Sequence, residues 1–440
     1  MKFRGLIAAA VVLFGLAGVL YWSERHEAKK ALEAPTISPP AILRVDPATV
    51  SALTVKQKAA QPIAMARSGA QWQITSPGTF PADPGTVSGM LTTLAPLNSQ
   101  SVVEDHATNL ANFGLNDPSV EVDVTGKDNK TSRLLIGDDA PTGDGVYVAV
   151  AGDLRVFIAS SFIKTSLNKS LSDLRDKRLL PIDASTVSGL ELIRKGGDIT
   201  FARIQNGWQI EKPQPYRTDD FQVDDLLQQL TSAKWDGSVS PEDAAKTFAH
   251  AAPVATVKLT GGVGNDTLDV RKDKEDYYAK SSAVAGAWKV DSANSSALGQ
   301  ALGHSLDEFR NKQLFAFGYS DPDKIEYHSG ATNLVLTHAN NAWWSNGQKM
   351  DPMSVESLVT ALRDEAASKF VDSGFTTPQI EIIVTANGGR KVEKVQIQKT
   401  GDSAIARLEG DSSFYALDAP TINSLTSAIA GIQPAAGGKK

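Results

Sequence analysis

The chain has 440 residues and not one cysteine. This absence excludes disulfide bonds, zinc–thiolate and iron–sulfur sites, and any thiol nucleophile. An excess of one charge is also lacking, because 44 Lys and Arg residues are scattered among 50 Asp and Glu residues, for a net charge of −6. A protein without a basic stripe is poorly suited to nucleic acid as its main partner.

Motifs of catalysis are missing too, since the chain contains neither a GxSxG nucleophile turn nor an HExxH metal motif. The histidines lack any compact metal-binding spacing and are expected at the surface or in turns: His26, His106, His250, His304, His328 and His338. The sequence therefore predicts no catalytic, cofactor-binding or metal residues, and a protein that is not an enzyme.

Two loops could nevertheless hold a ligand. The stretch Gly261-Gly-Val-Gly264 is glycine-rich, but it lies between two strand-like segments and is expected to be a hairpin turn rather than a phosphate loop. An acidic loop carries Asp138, Asp139 and Asp144, whose carboxylates could bind Ca²⁺. Its spacing does not match an EF-hand, so we expect a solvated turn.

The N-terminus carries a targeting signal. Gly5–Trp22 is a run of 18 uncharged, mostly apolar residues behind Lys2 and Arg4, and as a helix it would rise ~27 Å, about the thickness of a bilayer core. These features predict a transmembrane helix at 5–22, with residues 1–4 in the cytoplasm. The alternative is a cleaved signal peptide.

Charged and then proline-rich residues, 23–41, follow as a linker, and 434–440 are expected to form a disordered tail. Together with the transmembrane helix at 5–22, these segments predict a single-pass protein of the bacterial inner membrane. Its N-terminus would lie inside the cell and its body in the periplasm or outside.

A helix pattern recurs three times along the body. An aspartate is followed at +4, +7, +8 and +11 by apolar residues, beginning at Asp83, Asp219 and Asp351. Such spacing places the apolar residues on one helix face, behind an aspartate that can cap the free backbone N–H groups. The pattern predicts three copies of one structural unit.

A tryptophan ends a short strand ahead of each helix: Trp72, Trp208 and Trp344. Each could be a stacking platform for a sugar, but recurrence at one structural position favours a buried packing role. Strand-like segments before and after each helix complete the unit. The predicted fold is α+β, a transmembrane helix followed by three hairpin-helix-meander-helix modules at 42–180, 181–315 and a divergent 316–433.

The motifs of the first module resemble those of the bacterial domain of unknown function 4340 family. They are the Trp72 strand before a capped helix, Gly114-Leu-Asn-Asp-Pro118, Leu135-Ile-Gly-Asp138 and Val146-Tyr-Val148. The resemblance implies an association with uncharacterised ABC-type export and gliding-motility-like systems. It carries over no catalytic residues.

These observations lead to one hypothesis and two alternatives. The expected function is a non-enzymatic accessory, scaffolding or binding component of an ABC-type envelope transport system, whose permease and ATPase are other chains. The alternatives are an envelope enzyme that acts on a glycan or lipid, which would need a cleft of converging titratable groups, and a structural envelope spacer.

Overall fold

The computed structural model describes residues 40–141, 143–262 and 264–436. It divides the chain into two compact units, Met1–Asp176 and Lys177–Lys440. Every strand pairing between its named strands is antiparallel.

The first unit contains eleven strands and three α-helices within its described residues. The strands are β1 Ala41–Arg44, β2 Val50–Gln57, β3 Ile63–Ser68, β4 Gln71–Ser76, β5 Phe80–Pro81, β6 Pro96–Asn98, β7 Ser101–Glu104, β8 Val120–Gly126, β9 Thr131–Asp139, β10 Gly145–Val150 and β11 Val156–Ser160. The helices are α1 Pro84–Leu94, α2 Phe162–Leu167 and α3 Leu171–Leu174. Nine of these strands form sheet 1, in the order β5-β4-β3-β2-β8-β9-β10-β11-β7, and β1 pairs with β6.

The second unit contains two further sheets. Sheet 2 has the order β15-β14-β13-β12-β16-β17-β18-β19, from β12 Val187–Ile193, β13 Ile199–Ile204, β14 Gly207–Lys212, β15 Tyr216–Arg217, β16 Ala252–Gly261, β17 Gly264–Asp273, β18 Asp276–Ser281 and β19 Ala287–Lys289. Its helices are α4 Asp220–Ser232, α5 Pro241–His250, α6 Ser292–Gly303 and α7 Leu306–Phe309.

Sheet 3 has the order β23-β22-β21-β20-β25-β26-β27-β28-β24. Its strands are β20 Lys324–Ser329, β21 Thr332–Ala339, β22 Ala342–Ser345, β23 Gln348–Lys349, β24 Lys369–Val371, β25 Ile380–Ala386, β26 Lys391–Thr400, β27 Ser403–Leu408 and β28 Phe414–Leu417. Its helices are α8 Pro352–Asp364 and α9 Ala419–Ala430.

The three sheets share one way of joining their halves. In each sheet an early strand pairs with a strand that lies beyond the capped helix, β2 with β8, β12 with β16 and β20 with β25. Leu53 thus lies opposite Val124, Leu190 opposite Leu259, and Ile325 opposite Val384. All six side chains are buried. Alternating residues of each sheet thus form one continuous apolar face, on which the helices pack.

The α+β class predicted from the sequence is therefore wrong. Strands and isolated bridges hold 44% of the described residues and helices 23%, and the large sheets are antiparallel. The sequence presents a hairpin and a meander separated by a helix, whereas the pairing of β2 with β8 and its counterparts merges them into single sheets. Such non-local pairing leaves no signature in local periodicity.

The predicted membrane anchor is also corrected. The described ranges contain no helix that is long and apolar enough to span a membrane, so single-pass anchoring in the inner membrane is not supported. Segment 5–22, on which that prediction depended, lies outside the described residues, as does the linker up to residue 39. At the other end, Pro434 pairs with Met350, and Ala435 N donates to Lys349 O, so the expected tail begins with paired backbone.

The three capped helices form as predicted. The carboxylates of Asp83, Asp219 and Asp351 accept hydrogen bonds from backbone N–H groups in the first turn of α1, α4 and α8. The +4, +7, +8 and +11 residues are buried in all three helices: Val87, Met90, Leu91, Leu94, Val223, Leu226, Leu227, Leu230, Val355, Leu358, Val359 and Leu362.

Candidate functional site

The side chains singled out as possible ligands do not converge. His26 lies outside the described residues, His106 and His250 are exposed, and the other three histidines are half-buried. No group of three or more His, Asp or Glu side chains within the described ranges is arranged to hold a metal ion.

The two loops that could hold a ligand are also accounted for by other contacts. In the acidic loop, the Asp139 carboxylate forms an ion pair with Lys164, and Nζ and Oδ1 lie 2.8 Å apart. Gly261 and Gly264 pair with each other where β16 turns into β17, as the hairpin reading expected.

The tryptophans differ from the prediction in one copy. Trp72 and Trp208 are buried, but Trp344 is 37% exposed and its neighbour Trp343 is buried instead. The ring of Trp343 stacks on His338, with centroids 4.8 Å apart. The packing role assigned to Trp344 therefore belongs to Trp343.

A buried arginine joins sheets 2 and 3. Arg310 is 8% exposed, and its guanidinium lies 3.9 Å from the ring centroid of Tyr216 on β15 and 3.5 Å from that of Phe370 on β24. Its two Nη atoms donate to Asp307 Oδ1 and Ser413 Oγ, each at 2.8 Å. A cation held between two aromatic faces and two acceptors fixes the position of one sheet edge against the other.

Backbone pairing continues this junction. Leu314 N donates to Glu365 O at 2.9 Å, and Ala367 N donates to Lys312 O at 2.8 Å. The segment between the sheets thus runs antiparallel to the residues that follow α8. Two clefts open beside this pairing, and both are lined by Ala366.

The Phe221 cleft has a volume of about 550 Å³. It is lined by Thr218, Asp219, Asp220, Phe221, Gln222, His304, Glu308, Arg310, Asn311, Lys312, Gln313 and Ala366. The aromatic ring of Phe221 is 74% exposed on the second residue of α4. The equivalent residue of α8, Met353, is 80% exposed. Met353 lines neither cleft, whereas the exposed ring of Phe221 lies beside one, an arrangement typical of binding surfaces.

The acids of the Phe221 cleft are already engaged. Asp220 Oδ1 accepts from Trp208 N at 2.6 Å, while burial raises the pKa of its carboxyl. Hydrogen bonds from the Ser305 backbone N–H and hydroxyl, then from His304, lower the pKa of Glu308 to about 2. Lys312 differs, because none of the described carboxylates lies within ion-pair distance of its ammonium group. The cleft therefore offers an aromatic ring and an unpaired cation.

The acidic cleft, between α8 and α9, has a volume of about 650 Å³. It is lined by Glu356, Ser357, Thr360, Ala361, Asp364, Glu365, Ala366, Pro420, Thr421 and Ser424. Three of these residues are acidic and none is basic. Arg363 is the one basic residue on the two helices, and its guanidinium donates to the Gly318 and Tyr319 carbonyls.

Glu365 is the most perturbed group of this cleft. The side chain is 4% exposed, and its Oε1 has no hydrogen-bond partner among the described residues. Burial, followed by the charge of Asp418, raises the pKa of the carboxyl from 4.5 to about 8. At neutral pH, Glu365 is therefore mostly protonated and uncharged.

Sequence reasoning missed Glu365, although a signal existed. It ends its capped helix at the C-cap position, which Ala95 and Ala233 hold in the other two copies. A column that reads Ala, Ala and Glu marks a charged residue where the fold otherwise places an apolar one. Comparing the copies position by position reveals it.

Comparison with known proteins gives a family without an assigned activity. A family model described as a domain of unknown function (DUF4340) matches residues 72–212 and again residues 208–381. The two matches begin 208 − 72 = 136 residues apart and follow one another along the chain, which points to an internal repeat. No match is found among curated proteins.

Proposed function

We propose that this chain, a member of the DUF4340 family, is a non-enzymatic binding or scaffolding component that docks a partner protein at the Phe221 cleft. The observation that carries the proposal is the largely exposed ring of Phe221 on the rim of a cleft of about 550 Å³. Aromatic anchors beside desolvated pockets supply much of the binding energy of protein interfaces.

The chemistry of the cleft specifies what should dock there. Phe221 offers an apolar contact, and Lys312 offers an ammonium group without a carboxylate partner among the described residues. A partner segment with an apolar side chain next to an Asp or Glu would satisfy both. The buried Arg310 also lines the cleft and holds the edges of sheets 2 and 3 together beside these two groups.

The partner class is taken from the family resemblance. We propose that the partners are an ABC-type permease and its ATPase, encoded as other chains, and that this chain is their accessory subunit. Support for this step is associational, since it comes from systems in which similar proteins occur.

The test is a photo-crosslinking experiment in the native host. A benzoylphenylalanine replaces Phe221, and the full-length chain is purified in mild detergent with mass spectrometry of its crosslinks. The matched control places the same group at Phe162, which is 67% exposed at the start of α2 in the other unit. We expect a crosslinked permease or ATPase from position 221 only, and its loss when Lys312→Glu is added.

The outcomes separate the two parts of the proposal. A specific crosslink to a protein outside the ABC class would refute the partner class while supporting the docking site. Equal crosslinks at 221 and 162, or none at either, would refute the docking site.

A further inference from the structure

The acidic cleft contains a carboxyl group that the fold does not need. Ala95 and Ala233 hold the C-cap position of α1 and α4 that Glu365 holds in α8; Ala95 is half-buried and Ala233 is 0% exposed. Ala233 O accepts from Leu179 N at 2.8 Å, as Glu365 O accepts from Leu314 N at 2.9 Å. The same backbone pairing thus forms around an alanine, and the glutamate contributes only its side chain.

That side chain is placed at a cost. Burying a carboxyl without a hydrogen bond to one of its oxygens is unfavourable, and an apolar residue at this position would avoid it. Oε1 of Glu365 is such an atom within the described structure. A costly group that the other copies of the unit do without is best explained by something that binds to it.

The surroundings of Glu365 select a positively charged donor. Glu356, Thr360 and Asp364 recur every four residues and so share the face of α8 that lines the cleft. From α9, Thr421 and Ser424 add hydroxyl groups, and Asp418 caps that helix by accepting from Thr421 N. Carboxylates and hydroxyls around an opening suit a ligand that carries several N–H donors and a positive charge.

We infer that the acidic cleft binds an organic cation, an alkylammonium or guanidinium group, whose N–H donors reach the carboxylate of Glu365. A metal ion is a poorer fit, because no three acidic or histidine side chains of the described ranges are arranged for coordination. The inference goes beyond the proposed docking of a partner at the Phe221 cleft and does not depend on it.

Binding in this way must release a proton. The neutral carboxyl of Glu365 loses its proton to solvent, and the carboxylate that remains pairs with the incoming cation, so about one proton leaves for each cation bound at pH 6 and about half a proton at pH 8. Because burial raises the pKa of this carboxyl to about 8, affinity should rise by up to about tenfold per pH unit below that value. Asp418, whose charge acts on Glu365, has its own pKa lowered by hydrogen bonds from the Thr421 hydroxyl and backbone N–H, and the carboxyls of Glu356 and Asp364 line the same cleft.

The bound alkylammonium or guanidinium group could belong to a free amine or to a Lys or Arg side chain of a protein. The experiment therefore uses three probes in isothermal titration calorimetry with the full-length chain: spermidine, arginine methyl ester, and a short peptide that contains Arg and Lys. Titrations at pH 6, 7 and 8, in two buffers of different ionisation enthalpy, count the protons released. A free amine is the source if spermidine binds best, and a protein side chain is the source if the peptide binds best.

Glu365→Leu and Glu365→Gln are the test variants, because the other copies show that an apolar residue is compatible with the fold. Asp402→Asn, in the exposed turn between β26 and β27, is the matched control for the loss of one negative charge. We expect Glu365→Leu to weaken binding at pH 8 by about tenfold or more and to abolish proton release, with Asp402→Asn unchanged.

Three results would overturn the inference. They are unchanged affinity in Glu365→Leu, an equal loss in Asp402→Asn, and no binding of any probe at millimolar concentration. None of them bears on crosslinking at Phe221, so the two proposals fail separately.

Discussion

Replacing Glu365 with leucine should make the chain more stable, and increasingly so as pH rises. The folded state raises the pKa of this carboxyl from 4.5 to about 8, so the folded protein binds a proton that the unfolded chain has released. Below about pH 4.5, Glu365 therefore does not reduce the free energy of unfolding of the wild type. As pH rises toward 8, that free energy falls by about 1.4 kcal/mol per pH unit, and above pH 8 it levels off. The full penalty is on the order of 3 to 5 kcal/mol.

Urea unfolding of wild type and variants between pH 4.5 and 9 measures this penalty. The other titrating groups contribute equally to the free energies of unfolding of Glu365→Leu and of wild type, so they cancel when one is subtracted from the other. This difference in unfolding free energy should grow by about 3 kcal/mol or more across the pH range. Glu365→Gln should show the same trend, and Asp402→Asn should follow wild type. A difference that stays constant from pH 5 to pH 8.5 would refute the burial of an ionisable, unpartnered carboxyl.

Three further predictions concern the junction of sheets 2 and 3, the two tryptophans of β22, and the capped helix of sheet 3. Arg310→Lys should destabilise by about 1–3 kcal/mol, since lysine cannot stack between two rings while reaching two acceptors, and an unchanged melting temperature would contradict this. Trp343→Ala should cost about 3–5 kcal/mol but Trp344→Ala under about 1 kcal/mol, and thermal unfolding that ranks them in reverse would restore the original assignment. Asp351→Ala should cost about 1 kcal/mol in urea unfolding and Asp351→Asn much less, because asparagine also caps helices; equal losses would exclude capping.

The capped helices could be predicted from the sequence because their determinants are local. An aspartate, three intervening residues and a 3.6-residue apolar period all lie within one helix, and each of Asp83, Asp219 and Asp351 indeed caps its helix. The sheets could not be predicted in the same way. Whether β2 pairs with β8 depends on residues more than 60 positions apart, and no period within either strand records its neighbour.

The misplaced tryptophan has a different origin. In β22 the residues Trp343 and Trp344 are adjacent, and successive side chains of a strand point to opposite faces. Composition cannot decide which of two neighbouring tryptophans faces the core. The register is set by the pairing of Thr337 with Trp344 and of His338 with Trp343, which places Trp343 in the core cluster of sheet 3.

Tandem copies separate what a fold requires from what one copy has added. The contact between an arginine and an aromatic ring recurs within the first unit, where Arg175 lies 4.4 Å from the ring centroid of Phe80, much as Arg310 lies 3.9 Å from that of Tyr216. A contact repeated at the same position supports the architecture, so its loss should lower stability. Glu365 is the opposite case, because the other copies hold alanine there and its loss should raise stability. If removal of Glu365 stabilises the protein as expected, its retention is explained by the proposed cation binding, which would distinguish the third copy from the other two.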